Sequence, residues 1–374
     1  MNGSPDLSFI SMNDDPYFSS DNGGDYHVYP DGRVLMSGVH LLLDTIRGFT
    51  GSHCLIWFSN EGYLDTTAHH RKCSGSLDFF QQLPDGKFIG SGNMSTWEGQ
   101  PASRIIRFHP DGALDTTFHA NAVWGYAHGF LPLQDGRVYA VGRFRVQDLQ
   151  DTLYVVRFMP DGSLDPTFNN TLKFDVTEMD ILASGGIVRK IYQLDPNRLI
   201  VTGKFEEVEG QVRKCIAMVD TNGYLLDDPF ANAGVGNFAY QGTWGSAIQG
   251  FTTAPDGNYY VWGSYHGYND GTTNDTLQRM ISRLYGPHVG VNEKEEKSPI
   301  KIFPNPGENE ITIDPGATTL PAKVKIYSQT GELVLERSVK GLPIKLNTRK
   351  LSPGLYSIQI ESAGKVYRTK WVKE

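Results

Sequence analysis

LQDGRVYAVG at Leu133–Gly142, followed by VVRFMPDGSLDPTF at Val155–Phe168, is the stretch that decides the fold. Each half places an Asp-Gly between apolar runs. That pattern favours a tight reversal, because glycine accepts positive φ and the Asp side chain bonds local backbone. The first half recurs as YPDGRVLMSG from Tyr29, LPDGKFIGSG from Leu83, LDPNRLIVTG from Leu194 and APDGNYYVWG from Ala254. The second recurs as LIWFSNEGYLDTTA from Leu55, IIRFHPDGALDTTF from Ile105 and IAMVDTNGYLLDDPF from Ile216. Successive units lie some 50 to 60 residues apart. Two hairpins, and so four antiparallel strands, in a unit of that size are expected to form one blade of a β-propeller. The reading is an all-β chain with about five blades over residues 1–286.

The last unit ends in MISRLYG at Gly286 and lacks the Asp-Gly-x-Leu-Asp tail of the others. NGSPDLSF, from Asn2 to Phe9, resembles DGSLDPTF from Asp161 to Phe168. One expectation is that this N-terminal segment donates the missing strand and closes a ring. The other is that the units belong to a longer array.

Composition fits this picture. At 374 residues the chain exceeds the roughly 250 to 300 that one core supports, so two domains are expected. A net charge of -8, with no concentrated basic patch, argues against a nucleic-acid surface. The apolar runs are strand-sized, which excludes a transmembrane helix. MNGSPDLSF has neither the basic nor the apolar region of a signal peptide, so either the chain is mature or trimmed, or the protein is cytosolic. Of the three cysteines, Cys54 and Cys215 fall at equivalent repeat positions; Cys73 can reach Cys54, and the alternatives are a disulfide or buried free thiols.

Beyond Gly286, PHVGVNEKEEKSP reads as a charged linker at 287–298. Residues 299–374 then alternate apolar and polar in short segments, the pattern of a small Ig-like β-sandwich.

The long loops away from the Asp-Gly turns hold the candidate ligand residues Trp97, Trp124, Tyr126, Trp244 and Tyr268, together with Glu98 and Asp270. Aromatic faces beside carboxylates suit a glycan, and a protein ligand is the other option. Trp124 and Trp244 could instead pack between blades. A carboxylate pair there would permit glycoside hydrolysis, which makes a secreted carbohydrate-active enzyme the runner-up to a binding or structural scaffold. No phosphate loop, HExxH or GxSxG is present, and no catalytic residue is assigned. No cofactor is expected. The recurring Asp65, Asp115, Asp165 and Asp227 allow two readings: Ca²⁺ ligands, or turn caps that pair with Arg107, Arg157 and Arg283.

In their order and spacing the repeats resemble the delta-60 repeat family, predicted to form propellers, with GKFEEVEGQVRKCIAMVDTNG from Gly203 the nearest stretch. That family carries no activity with it. The tail resembles the type A C-terminal sorting domain of the bacterial type IX secretion system. The resemblance is carried by Phe303-Pro304-Asn305-Pro306, by IYSQTGELV with Gly331, by LSPGLYSIQI with Gly354 and Tyr356, and by the basic end Lys370–Lys373. It implies export across the outer membrane, with the secretion machinery as partner and the outer surface or the medium as destination.

Overall fold

The computed structural model describes residues 4, 6–9, 18–147, 149–175, 187–227, 230, 234–236, 239–240, 243–244, 246–269, 274–285, 301–314, 321–329, 331–341, 343–362 and 365–374. The expected linker at 287–298 lies outside them. The chain divides into two compact units, Met1–Gly286 and Pro287–Glu374.

Among the described residues the first unit holds five antiparallel blades, each with an inner, a middle and an outer strand. Blade one is Phe18–Val28, Val34–Asp44 and Phe49–Phe58. Blade two is Phe79–Gln82, Phe88–Ser91 and Ile105–Phe108. Blade three is Ala122–Pro132, Val138–Val146 and Leu153–Phe158. Blade four is Ile187–Asp195, Arg198–Lys204 and Ile216–Asp220, and blade five Ala247–Thr253, Tyr259–Asn269 and Asn274–Leu284. Each inner strand lies against that of the next blade.

The middle strands of blades two to four each carry an apolar run, Phe88–Ile89, Val138–Val141 and Leu199–Val201, because both of its faces are buried. Strand side chains alternate sides, so in blade three Val138 and Ala140 join Ile89 and Ile105 of blade two, whereas Tyr139 and Val141 join Leu199 and Val201 of blade four. Ile200, from the other face of blade four, packs with Phe251 and Val261 of blade five. The end faces are open: Trp262 and Ile281 of blade five are 40% and 56% exposed, and Tyr26 and Val28 of blade one 73% and 54%.

The turns behave as their residues dictate. Gly136 (φ +86) and Gly162 (φ +88) take the left-handed conformation, and Asp135 and Asp161 accept bonds from the amides two residues on. The fourth strand is shorter than the repeat predicts. It shrinks to single bridges, Phe58 to Leu64, Phe108 to Leu114, Phe158 to Leu164 and Val219 to Leu225. In blades one to three the reason is the Asp that follows the leucine: in blade three, Asp165 Oδ1 accepts both the amide (2.8 Å) and the hydroxyl (2.7 Å) of Thr167, turning the chain out of the sheet. Asp6 and Ser8 form the same turn, at 2.9 and 2.6 Å, but the described residues at 4–9 form no strand and Leu7 is 87% exposed.

Neighbouring blades are joined by arginines. Arg157 donates from Nε to Asp165 (2.7 Å), from Nη2 to Thr167 (2.8 Å) and from Nη1 to the Thr221 carbonyl of blade four (2.6 Å), with its guanidinium 5.1 Å from the Phe168 ring centre. Arg107 repeats this with Asp115, Thr117, Phe118 and the Pro160 carbonyl of blade three. Blade one has Trp57 at the matching position, and Arg71 reaches the Asp111 carbonyl instead. In blade four the position is Met218. These pairings supply the turn-cap reading of Asp115 and Asp165. Burial alone would raise both carboxyls, yet bonds from Lys87, Thr117 and Arg107, and from Thr167, Arg157 and Arg137, hold them well below the ordinary range.

The cysteines are free thiols, with Cys54 and Cys215 buried; Cys54 and Cys73 are hydrogen-bonding neighbours.

The second unit is a two-sheet sandwich. Lys301–Phe303, Glu310–Asp314 and Ile344–Asn347 form one sheet; Leu333–Val339, Ala322–Tyr327, Gly354–Ser362 and Lys365–Lys373 form the other. Ile311, Ile313, Val324, Ile326, Ile358 and Trp371 fill the space between them.

Candidate functional site

The inner strands share a device that no loop reading exposes. A glycine ends the first-half motif of every unit, and a Cβ there would collide with inner-strand backbone: Gly142 with the Tyr126 carbonyl at 2.4 Å, Gly203 with Ile187 at 2.1 Å, Gly263 with Ala247 at 2.1 Å. Beside that glycine the ladder slips by a residue in blades one, three, four and five. The slip leaves Gly24 and Asp25 of blade one unpaired, and likewise His128, Arg189 and Gln249 of blades three, four and five. Bulges re-aim side chains and often border functional sites. Here they insert polar residues of differing chemistry into a repeating frame.

Contacts link these residues across blades. The Asp25 carboxylate accepts the Phe80 amide at 3.3 Å, and Lys190 of blade four acts on it electrostatically. Asn22 donates to Asp78 at 3.1 Å. His128 sits 5.1 Å from both Phe79 and Tyr126, ring centre to ring centre. Burial, then Arg189 and Lys190, lowers the His128 pKa to about 4, so its imidazole is neutral at physiological pH. Burial raises the Asp25 carboxyl above its usual value and lowers the pKa of the Arg189 guanidinium.

Two of the sequence-predicted residues fall in this group. Trp124 and Tyr126 lie on the inner strand of blade three, Trp124 being 44% exposed, with Arg143 and Arg145 guanidiniums 5.4 and 5.3 Å from its ring centre. The neighbours of Trp124 are thus cations, not the carboxylates the loops suggested. Trp97, Glu98 and Tyr268 lie elsewhere. Trp97 is 2% exposed, packed on Phe108, with its indole N–H on the Gly112 carbonyl. Glu98, at φ +50, caps the Lys72 amide and meets His69 at 3.0 Å; Glu209, at φ +51, caps the Lys173 amide in the same way. That recurrence makes Glu98 part of the frame. Tyr268 is buried with Cys215 and Tyr265. The backbone of Trp244 pairs with Ala239, and Asp270 lies outside the described residues. Among the described residues, no group of three or more His, Cys, Asp or Glu could hold a metal ion.

In the sandwich, the Phe303–Pro306 segment fastens the final strand. Asn305 accepts the Val372 amide at 2.9 Å and donates to the Lys370 carbonyl, while the Pro304 carbonyl accepts the Trp371 indole N–H at 3.2 Å. Phe303 is half exposed. Tyr356 is buried, 5.7 Å from Trp371, its hydroxyl on the Ser352 carbonyl. Gly331 (φ +84) and Gly354 (φ +155) occupy backbone conformations that side chains resist.

Comparison with known proteins agrees with both units. Residues 301–374 match the secretion system C-terminal sorting domain, and residues 83–118 and 133–168 match a β-propeller domain of unknown function. No curated protein matches the chain. Among solved structures, PorZ, an essential surface component of the type-IX secretion system of Porphyromonas gingivalis, is 10% identical with a TM-score of 0.38, over 95% of this chain and 52% of that one. The extracellular domain of the putative one component system BT4673 of B. thetaiotaomicron is 9% identical with a TM-score of 0.36, over 94% and 43%. The chain spans about half the length of those structures, and likeness at this level carries no functional inference. The two matches and the repeat together make this chain a β-propeller that carries a secretion-system C-terminal sorting domain.

Proposed function

We propose that the propeller is a display platform, built of delta-60 repeats and delivered through recognition of its tail by the type IX machinery. Its inner-strand site, around Trp124, Tyr126, His128 and Arg189, holds a glycan. The observation that carries this reading is the run of bulges in blades one, three, four and five: one structural position bears Gly24, with Asp25 unpaired beside it, then His128, Arg189 and Gln249. A frame that keeps a position and varies its chemistry is suited to one asymmetric ligand. Half-buried aromatic rings beside polar groups supply stacking and hydrogen bonding together. On a glycan array the full chain is expected to bind, and Trp124→Ala with Tyr126→Ala to lose binding while melting normally. Undiminished binding by the double variant removes the site.

A second reading, hydrolysis of the bound glycan, is favoured by the raised Asp25 carboxyl, since a general acid must be protonated near working pH. Release of reducing ends from a glycan panel, abolished by Asp25→Asn, would support it. An inert wild-type chain rejects it.

A further inference from the structure

We propose that the ligand of the inner-strand site is an acidic saccharide, its carboxylate or sulfate held between Arg143 and Arg189. This rests on the reading that the site holds a glycan and narrows the class of that glycan.

The argument begins with how arginines are used elsewhere in the same unit. Nε of Arg107 and of Arg157 donates to a carboxylate at 2.8 and 2.7 Å. Nε of Arg143 and Nε of Arg189 are buried and have no hydrogen-bond partner. A buried donor left without a partner is costly, so these two are placed for an acceptor that arrives from outside.

Their surroundings select its charge. Arg143 stands opposite Tyr126 in the sheet and beside the Tyr154 hydroxyl; Tyr126 in turn acts electrostatically on Arg189. Arg145 and Lys190 add two further cations, and among the described residues none of these four forms an ion pair. Among the described residues, Asp25 interacts with Lys190 and Asp175 acts on Tyr154. In a chain of net charge -8 this is a local reversal of sign. Guanidinium forks bind carboxylate and sulfate oxygens in pairs. Neutral His128 adds a ring nitrogen, Nδ1, that is also buried and unpartnered.

A saccharide fits better than an acidic peptide or a nucleic acid. The cations are confined to neighbouring strands of blades three and four instead of forming a track, and the Trp124 and Tyr126 rings beside them offer faces for the apolar side of a sugar.

The test is calorimetric titration of the full chain with oligogalacturonate, a sulfated galactan oligosaccharide, cello-oligosaccharide and poly-glutamate. Binding of the uronate or the sulfated probe is expected, weakened at least about tenfold by Arg143→Gln or Arg189→Gln. Arg189→Lys, which keeps charge but loses the fork, is expected to retain part of it. Which probe binds tells carboxylate from sulfate. Tight binding of cello-oligosaccharide alone overturns the acidic class and leaves a glycan platform standing. Poly-glutamate binding with the same arginine dependence overturns the saccharide. No binding to any probe overturns both.

Discussion

His70 lies in the first blade pair with Phe49, His53 and Trp57 around its ring and Nε2 without a hydrogen-bond partner. Burial, then the charge of His53, lowers its pKa to about 4. Unfolded, it titrates near 6.5. A depressed folded value means that the unfolded chain takes up the proton first, so the associated stability is intact above about pH 6.5 and lost as pH falls toward 4. The loss approaches on the order of 3 kcal/mol. His128 acts in the same window. Asp115 and Asp165, held low by their cations, lose their contribution only below the ordinary carboxylate range. Melting curves from pH 7 to 4 should therefore decline, and His70→Asn should flatten part of that decline. A flat wild-type profile would show that His70 protonates without cost.

At the scale of elements, the clamp arginines carry the expectation. Arg157→Met removes a buried charge from Asp165 and the grip on the Thr221 carbonyl, and should cost about 3 kcal/mol in chemical denaturation. Met218→Arg is the converse control: it places a guanidinium in blade four where Leu226 stands in place of the clamp carboxylate, and it should destabilise as well. If Arg157→Met is neutral, the clamp fixes geometry without adding stability. The Arg–Asp partnership and the turn glycines are legible in the sequence because they recur with the repeat. The bulges are not. The inner strands mix polar and apolar residues without strict alternation, so a one-residue slip breaks no pattern that the sequence displays. One signal was present: His128, Arg189 and Gln249 each stand five residues before the start of a first-half motif, at Leu133, Leu194 and Ala254. Trp97 misleads for the opposite reason. It lies between strands in sequence, but a two-residue hairpin folds it inward.

The whole molecule joins a scaffold to an address. The sorting motif reads as sequence and resolves into mechanics, because Asn305 and Pro304 secure the strand that bears the basic end. Asn305→Ala should loosen that strand by about 1 kcal/mol, seen as faster amide exchange at Val372. Residues 299–374 fused to a reporter should carry it across the outer membrane in a type IX host; retention in the periplasm would contradict the sorting role.

The clamp also bears on how such a chain can change over generations. Arg107 and Arg157 reach forward to main-chain carbonyls, at Pro160 and Thr221, and main-chain carbonyls are present whatever side chains the next blade carries. MPDG and DTNG turns serve equally. A joint indifferent to its neighbour's identity lets a whole unit be duplicated, lost or exchanged without rewriting the units beside it, and leaves the inner-strand bulges free to drift toward new ligands.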